Sequence, residues 1–106
     1  MANKISLPSS WVCDGKELKL KFGAKYSNTW VFDGKEVRLK MGAKDSNTWV
    51  WDGKELRRKM GATYSDTWIV EGNQVRPKMG ANSKNTYDCG SEGILVIAGK
   101  TALRLF

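Results

Sequence analysis

A tryptophan recurs every 19 residues in this chain, at Trp11, Trp30, Trp49 and Trp68, and Tyr87 takes the next slot. The residues between follow the same period: W-V-F-D-G-K-E-V-R-L-K-M-G-A-K-D-S-N-T is followed by W-V-W-D-G-K-E-L-R-R-K-M-G-A-T-Y-S-D-T, identical at 13 of 19 positions. The unit repeats over residues 11–29, 30–48, 49–67 and 68–86, and a degenerate copy covers 87–106. Self-similarity at a fixed period means stacked or ringed supersecondary units, each unable to bury its apolar face alone. At 106 residues the chain is one domain, 1–106, built from those units.

Each unit reads as a β-hairpin. Asp14-Gly15, Asp33-Gly34 and Asp52-Gly53 lie between β-prone runs, with Glu71-Gly72 in the fourth copy. Asp-Gly suits a two-residue type I′ turn, which places Phe32 opposite Lys35, Val31 opposite Glu36 and Trp30 opposite Val37. Period-two alternation then puts Trp30, Phe32, Val37, Leu39 and Met41 on one face, with Trp11, Leu18, Leu20 and Phe22, and Trp49, Trp51, Leu56 and Met60, as their counterparts. Arg58 and Pro77 interrupt this stripe, and Pro77 fits only an edge, a bulge or a strand end. Gly23, Gly42, Gly61 and Gly80 mark turns with positive φ, and the Ser-Asn-Thr segment after them makes a short connector whose side chains bond nearby backbone. The connector leaves no room for a helix, so the expected class is all-β.

A row of hairpins has two exposed edges, whereas a closed ring has none. Cys13 and Cys89 occupy the same slot in copies one and five. If four copies make one revolution, the two thiols meet at the seam. The expected architecture is a pseudo-fourfold closed ring. The uninterrupted apolar run Ile94–Ile97, with Leu103, Leu105 and Phe106 behind it, reads as a strand covered on both faces. That strand serves as a plug, a cap or, through Ile94–Phe106, a homo-oligomer contact.

The unit N-T-W-x-x-D-G-K-x-[LV]-R-x-K-x-G-A, in four copies and followed by an apolar strand, resembles the bacterial family of "4-fold beta flower" proteins. The resemblance covers Trp11 to Phe106 and implies a pseudo-fourfold arrangement of hairpins, with no established activity and no catalytic residues to carry over. The fourth copy departs from the pattern at Glu71, Asn73, Gln74 and Pro77. The unit is also loosely similar to MORN repeats, but its 19-residue period is shorter and that family's glycine pattern is absent.

Repeated polar positions become rings if the hairpins do. One ring holds Lys19, Arg38, Arg57 and Arg76, a second Lys21, Lys40, Lys59 and Lys78, and a third Glu17, Glu36, Glu55 and Gln74. The net charge of +7 and the forked guanidinium make the two basic rings candidate sites for phosphate, nucleic acid or another polyanion. Set against that is a solvated face whose acids and bases offset each other. The recurring tryptophans belong to the core. Trp51, in a slot that varies between copies, makes a candidate exposed aromatic contact with Tyr26 and Tyr64. With no His, two distant Cys and no phosphate-cradling glycine loop leading into a helix, nothing predicts an enzyme, a metal site or a cofactor. There is no apolar run long enough to span a membrane, and Met1–Ser10 lacks the apolar segment of a secretory signal, so the expected location is cytoplasmic. The expected function is a non-enzymatic, self-associating interaction module. The alternatives are an anion or nucleic-acid binder and a lipid-surface or glycan binder acting through exposed aromatics.

Overall fold

A computed structural model describes residues 3–106; Met1 and Ala2, part of the N-terminal stretch considered above, lie outside the described residues. The strands are β1 (Asn3–Lys4), β2 (Trp11–Cys13), β3 (Glu17–Leu20), β4 (Trp30–Phe32), β5 (Glu36–Leu39), β6 (Trp49–Trp51), β7 (Glu55–Arg58), β8 (Trp68–Glu71), β9 (Gln74–Pro77) and β10 (Tyr87–Asp88). They form one 10-stranded sheet in the order β1-β10-β9-β8-β7-β6-β5-β4-β3-β2. From β2 to β10 it is an antiparallel meander, and β1 adds in parallel beside β10. An α-helix, α1 (Ile94–Lys100), follows.

The hairpin repeat is therefore present, but its turn differs from the expected one. Phe32 faces Val37, Val31 faces Arg38 and Trp30 faces Leu39. The register is shifted by two residues, which preserves the facing of every side chain. Gly34 takes φ 98°, whereas Asp33 keeps a negative φ, so the turn centres on Gly34-Lys35 rather than on Asp33-Gly34. Asp33 works through its carboxylate instead. Its Oδ1 accepts the amides of Lys35 and Glu36 at 2.9 and 2.8 Å, and Asp14 and Asp52 repeat the arrangement.

The connectors, expected to leave no room for a helix, hold a single turn of 3-10 helix at Tyr26–Asn28, Asp45–Asn47 and Tyr64–Asp66. Gly23, Gly42, Gly61 and Gly80 all have positive φ. The hydroxyls of the buried Thr29, Thr48 and Thr67 donate to the carbonyls of Lys25, Lys44 and Thr63 at 2.7, 2.7 and 2.6 Å. Pro77 closes β9, a strand end as its missing N–H demands.

The sheet has two free edges, β1 and β2, and no ladder joins them. It is nevertheless curved. Ile5 beside β1, Cys89 beside β10 and Cys13 on β2 pack into the same apolar cluster. The two thiols are unbridged. Burial raises both thiol pKa values, which favours the protonated form.

The expected C-terminal strand is a helix. Leu95 to Gly99 are buried, and they pack on Leu18, Val37, Leu56 and Val75, one fully buried aliphatic residue from each hairpin. The physical reason is backbone satisfaction. A lone strand inside an apolar core has no neighbour for its ladder, whereas a helix pairs its own amides and carbonyls. A short apolar run cannot reveal which of the two it will be from its periodicity. The tail is thus consumed as a plug and does not present Leu95–Gly99 as an outer contact.

One further expectation on the apolar stripe fails. Phe22, Met41 and Met60 do not face the core; they are 83, 57 and 56% exposed, and Met79, in the same slot of the fourth copy, is 59% exposed. Each lies beyond the last residue of its strand, where the chain has already turned into the connector. The four tryptophans at the strand starts do pack against the core, with Trp49 buried and Trp11, Trp30 and Trp68 half-buried.

Candidate functional site

The basic rings lie on the outer face of the sheet, and most of their members have carboxylate partners. Lys40 reaches Glu17 at 2.7 Å, Lys59 reaches Glu36 at 2.9 Å and Lys78 reaches Glu55 at 3.0 Å. Each of these pairs joins one hairpin to the next. Arg38, Arg57 and Arg76 turn to their own hairpin's acid, Asp33 at 2.6 Å, Asp52 at 2.9 Å and Glu71 at 3.1 Å. Lys19 stands 3.9 Å from Glu17. Lys21 has no carboxylate within ion-pair distance among the described residues, because no hairpin precedes its own. The converse holds at the other end, where no lysine follows to face slot 74, and that slot holds a neutral Gln74. The cationic band is therefore a lattice of paired charges.

These contacts set the acid response. The Arg38 guanidinium and the Glu36 and Lys35 amides hold the Asp33 carboxyl well below the usual range. The amides of Glu55 and Lys54, with Arg57, lower Asp52 to about 2. Asp14 is lowered by the amides of Glu17 and Lys16. A carboxyl depressed in the folded state adds stability above its unfolded value near 3.8 and loses it as pH falls through the folded value. The melting temperature is therefore expected to hold from neutrality to about pH 4 and to fall between about pH 4 and 2. The variant Asp52→Asn is expected to melt lower at pH 7 and to show a smaller acid drop. Thermal melts across that range check both.

The proposed aromatic contact does not assemble. Trp51 is half-buried beside the turn, opposite Leu56 and against the core. Tyr26 and Tyr64 are exposed at the other end of the strands, in the connectors, where Lys40 and Lys78 each sit 4.6 Å from a ring centre.

The two ends of the sheet differ chemically. Because β3, β5, β7 and β9 run the same way, residues 21–28, 40–47, 59–66 and 78–85 all fall at one end, and the Asp-Gly turns all fall at the other. The connector end carries seven lysines against Asp45 and Asp66, whereas the turns carry Lys16, Lys35 and Lys54 against four acids. The connector end also carries the four exposed apolar residues.

It is here that the repeat symmetry breaks. Arg58 occupies a slot held by Leu20, Leu39 and Pro77 in the other copies, and Asp66 a slot held by Asn28, Asn47 and Asn85. Asp66 keeps the asparagine's task, since its Oδ1 accepts the Thr63 amide at 2.8 Å, and its Oδ2 holds Arg58 at 3.2 Å. Arg58 in turn lies over the Trp49 ring, 5.3 Å from its centre. These residues line a cleft of about 330 Å³ with Trp68, Ser65, Thr101 and Arg104. Arg104 is the one non-glycine residue with positive φ among those described, at 52°. The sequence showed Arg58 as a break in the stripe. The paired change at Asp66 was readable by aligning copy three with the others, but the part played by Arg104 was not.

No family model, curated protein or solved structure matches the chain. What it does must be read from its own surface. No group of three or more metal-ligating side chains comes together among the described residues, and no helix is long and apolar enough to cross a membrane.

Proposed function

We propose that the chain is a non-enzymatic interaction module of the 4-fold beta flower type. In this reading four hairpins are arranged with pseudo-fourfold symmetry around helix α1, and the module contacts its partner through the connector end. One observation carries this reading. Large apolar side chains recur there at every repeat and remain exposed, although the same repeat packs its tryptophan and one aliphatic residue per hairpin against the core. A small domain gains nothing in stability from exposing four such residues, and exposed apolar patches mark interaction surfaces.

The tail and the basic rings would place the working surface elsewhere. Self-association through the tail is left with Ile94 and Leu103–Phe106, because Leu95–Gly99 are buried in the core. Polyanion binding by the rings needs arginines that are held by Asp33, Asp52 and Glu71.

Light scattering with and without a short single-stranded oligonucleotide tests the reading. The expected result is a mass indifferent to the oligonucleotide at moderate salt. An oligonucleotide complex that survives the quadruple variant F22S/M41S/M60S/M79S and disappears in R38A/R57A would move the working surface to the outer face of the sheet and overturn the proposal.

A further inference from the structure

We infer that the partner at the connector end is an anionic lipid surface, with Phe22, Met41, Met60 and Met79 entering the headgroup–acyl boundary and the neighbouring lysines meeting the phosphates. The inference rests on the interaction-module reading above and names its partner. Three observations select a bilayer from the surfaces that an apolar rim can meet.

The first is the distribution of the apolar groups. They do not form one continuous hollow, as a groove for a peptide would. Each stands on its own connector, spaced by the repeat, and is unbranched at Cβ. Single protruding Phe and Met side chains insert between lipids without needing a matching pocket. Tyr26 and Tyr64, exposed in two of the same connectors, have the apolar ring and polar tip that suit a membrane interface.

The second is charge. Lys21, Lys25, Lys44 and Lys84 are exposed at this end and have no carboxylate within ion-pair distance among the described residues, whereas Asp45 and Asp66 are engaged by Lys59 and Arg58. A lysine beside an inserting side chain lays its methylenes along the apolar surface and keeps its ammonium at the phosphate level. The turn end, with its surplus of acids, would face away.

The third excludes the simplest competitor. A second copy docking through the same rim in a two-fold arrangement would bring this excess of lysines against its own likeness. A negatively charged bilayer reverses the sign of that interaction.

Co-sedimentation of the full chain with vesicles tests the inference. Phosphatidylcholine vesicles containing about a third phosphatidylserine are expected to pellet the protein at an ionic strength of about 0.1 M, and phosphatidylcholine alone is not. The variant F22S/M41S/M60S/M79S alters only exposed side chains, so it is expected to keep the wild-type melting temperature and to bind ~100-fold more weakly. The variant K21Q/K25Q/K44Q/K84Q is expected to bind ~600-fold more weakly, at ~5-fold per lysine. Failure of the wild-type protein to pellet with the anionic vesicles overturns the lipid inference. If light scattering then shows a rim-dependent complex with another partner, the interaction-module reading stands without it. Wild-type pelleting by the rim variant overturns both. Displacement from vesicles by millimolar glycerophosphoserine would assign the affinity to a single headgroup held in the Arg58–Arg104 cleft, and would overturn insertion of the rim.

Discussion

Replacing Leu95 by Ala is expected to destabilise the protein by about 2–5 kcal/mol, within the range for a large apolar side chain removed from a packed core. Leu95 is 1% exposed and shares a cluster with Leu18, Val37 and Leu56 from three different hairpins. Its removal takes contacts from all three at once. The cavity cannot close easily, because each wall belongs to a strand held by ladders on both sides. For a domain near this size each kcal/mol moves the melting temperature by about 4–8 °C, so a fall of more than about 8 °C is expected. The informative control is Met41→Ala. Met41 belongs to the same apolar stripe in the sequence, yet it is exposed, and its replacement is expected to shift the melting temperature by less than about 2 °C. Melts followed by circular dichroism give both values. Equal shifts for the two variants would contradict the placement of the core.

That contrast shows where the sequence was readable. The 19-residue period, the hairpins, the facing of Trp30, Phe32, Val37 and Leu39, and the strand-ending role of Pro77 all follow from local chemistry and are all present. Facing survived even a wrong turn centre, because a register error of two residues leaves parity unchanged. The turn centre is not legible because Asp has two ways to serve a turn. It can adopt positive φ, or it can accept amides with its carboxylate, and dipeptide identity alone does not separate them. Met41 and Leu39 differ only in lying beyond or within the strand end, and strand ends are not marked by hydropathy. The conformation of the tail is not legible because it depends on what surrounds it. Ile94–Ile97 is rich in β-branched residues, and only the absence of a neighbouring strand makes it helical.

The candidate surface was legible in its parts and not in their assembly. The lysines and the Phe/Met slots stand in the repeat, but their convergence needs the common direction of β3, β5, β7 and β9. The basic rings show the opposite case. Their spacing suggested a binding band, and the same spacing supplies each of three lysines with a glutamate from the preceding hairpin. A repeat that places cations at one interval and anions at another pairs them wherever two neighbours exist, and leaves the first lysine and the last acid slot as exceptions. Lys21 and Gln74 are those exceptions.

The strongest test of the helix as plug is at its closest approach to the chain end. Gly99 has no side chain where a Cβ would meet Phe106 Cζ at 2.7 Å and Leu18 Cδ2 at 3.0 Å. Gly99→Ala is therefore expected to destabilise by about 1–3 kcal/mol, although alanine is the better helix former by about 1 kcal/mol. The steric term outweighs propensity because Leu18 is fully buried and cannot swing aside, while Phe106 is held against Trp11 with ring centres 5.7 Å apart. Phe106→Ala alone is expected to lose part of the aromatic packing. Combined with Gly99→Ala, it opens the space the new methyl needs, so the double variant is expected to be more stable than the sum of the single changes predicts, by about 1 kcal/mol or more. Additive losses would mean that the helix meets the sheet at a different height, with Gly99 away from Phe106. A stabilising Gly99→Ala would mean that only helix propensity is acting, and that the close contact with Phe106 and Leu18 is not made.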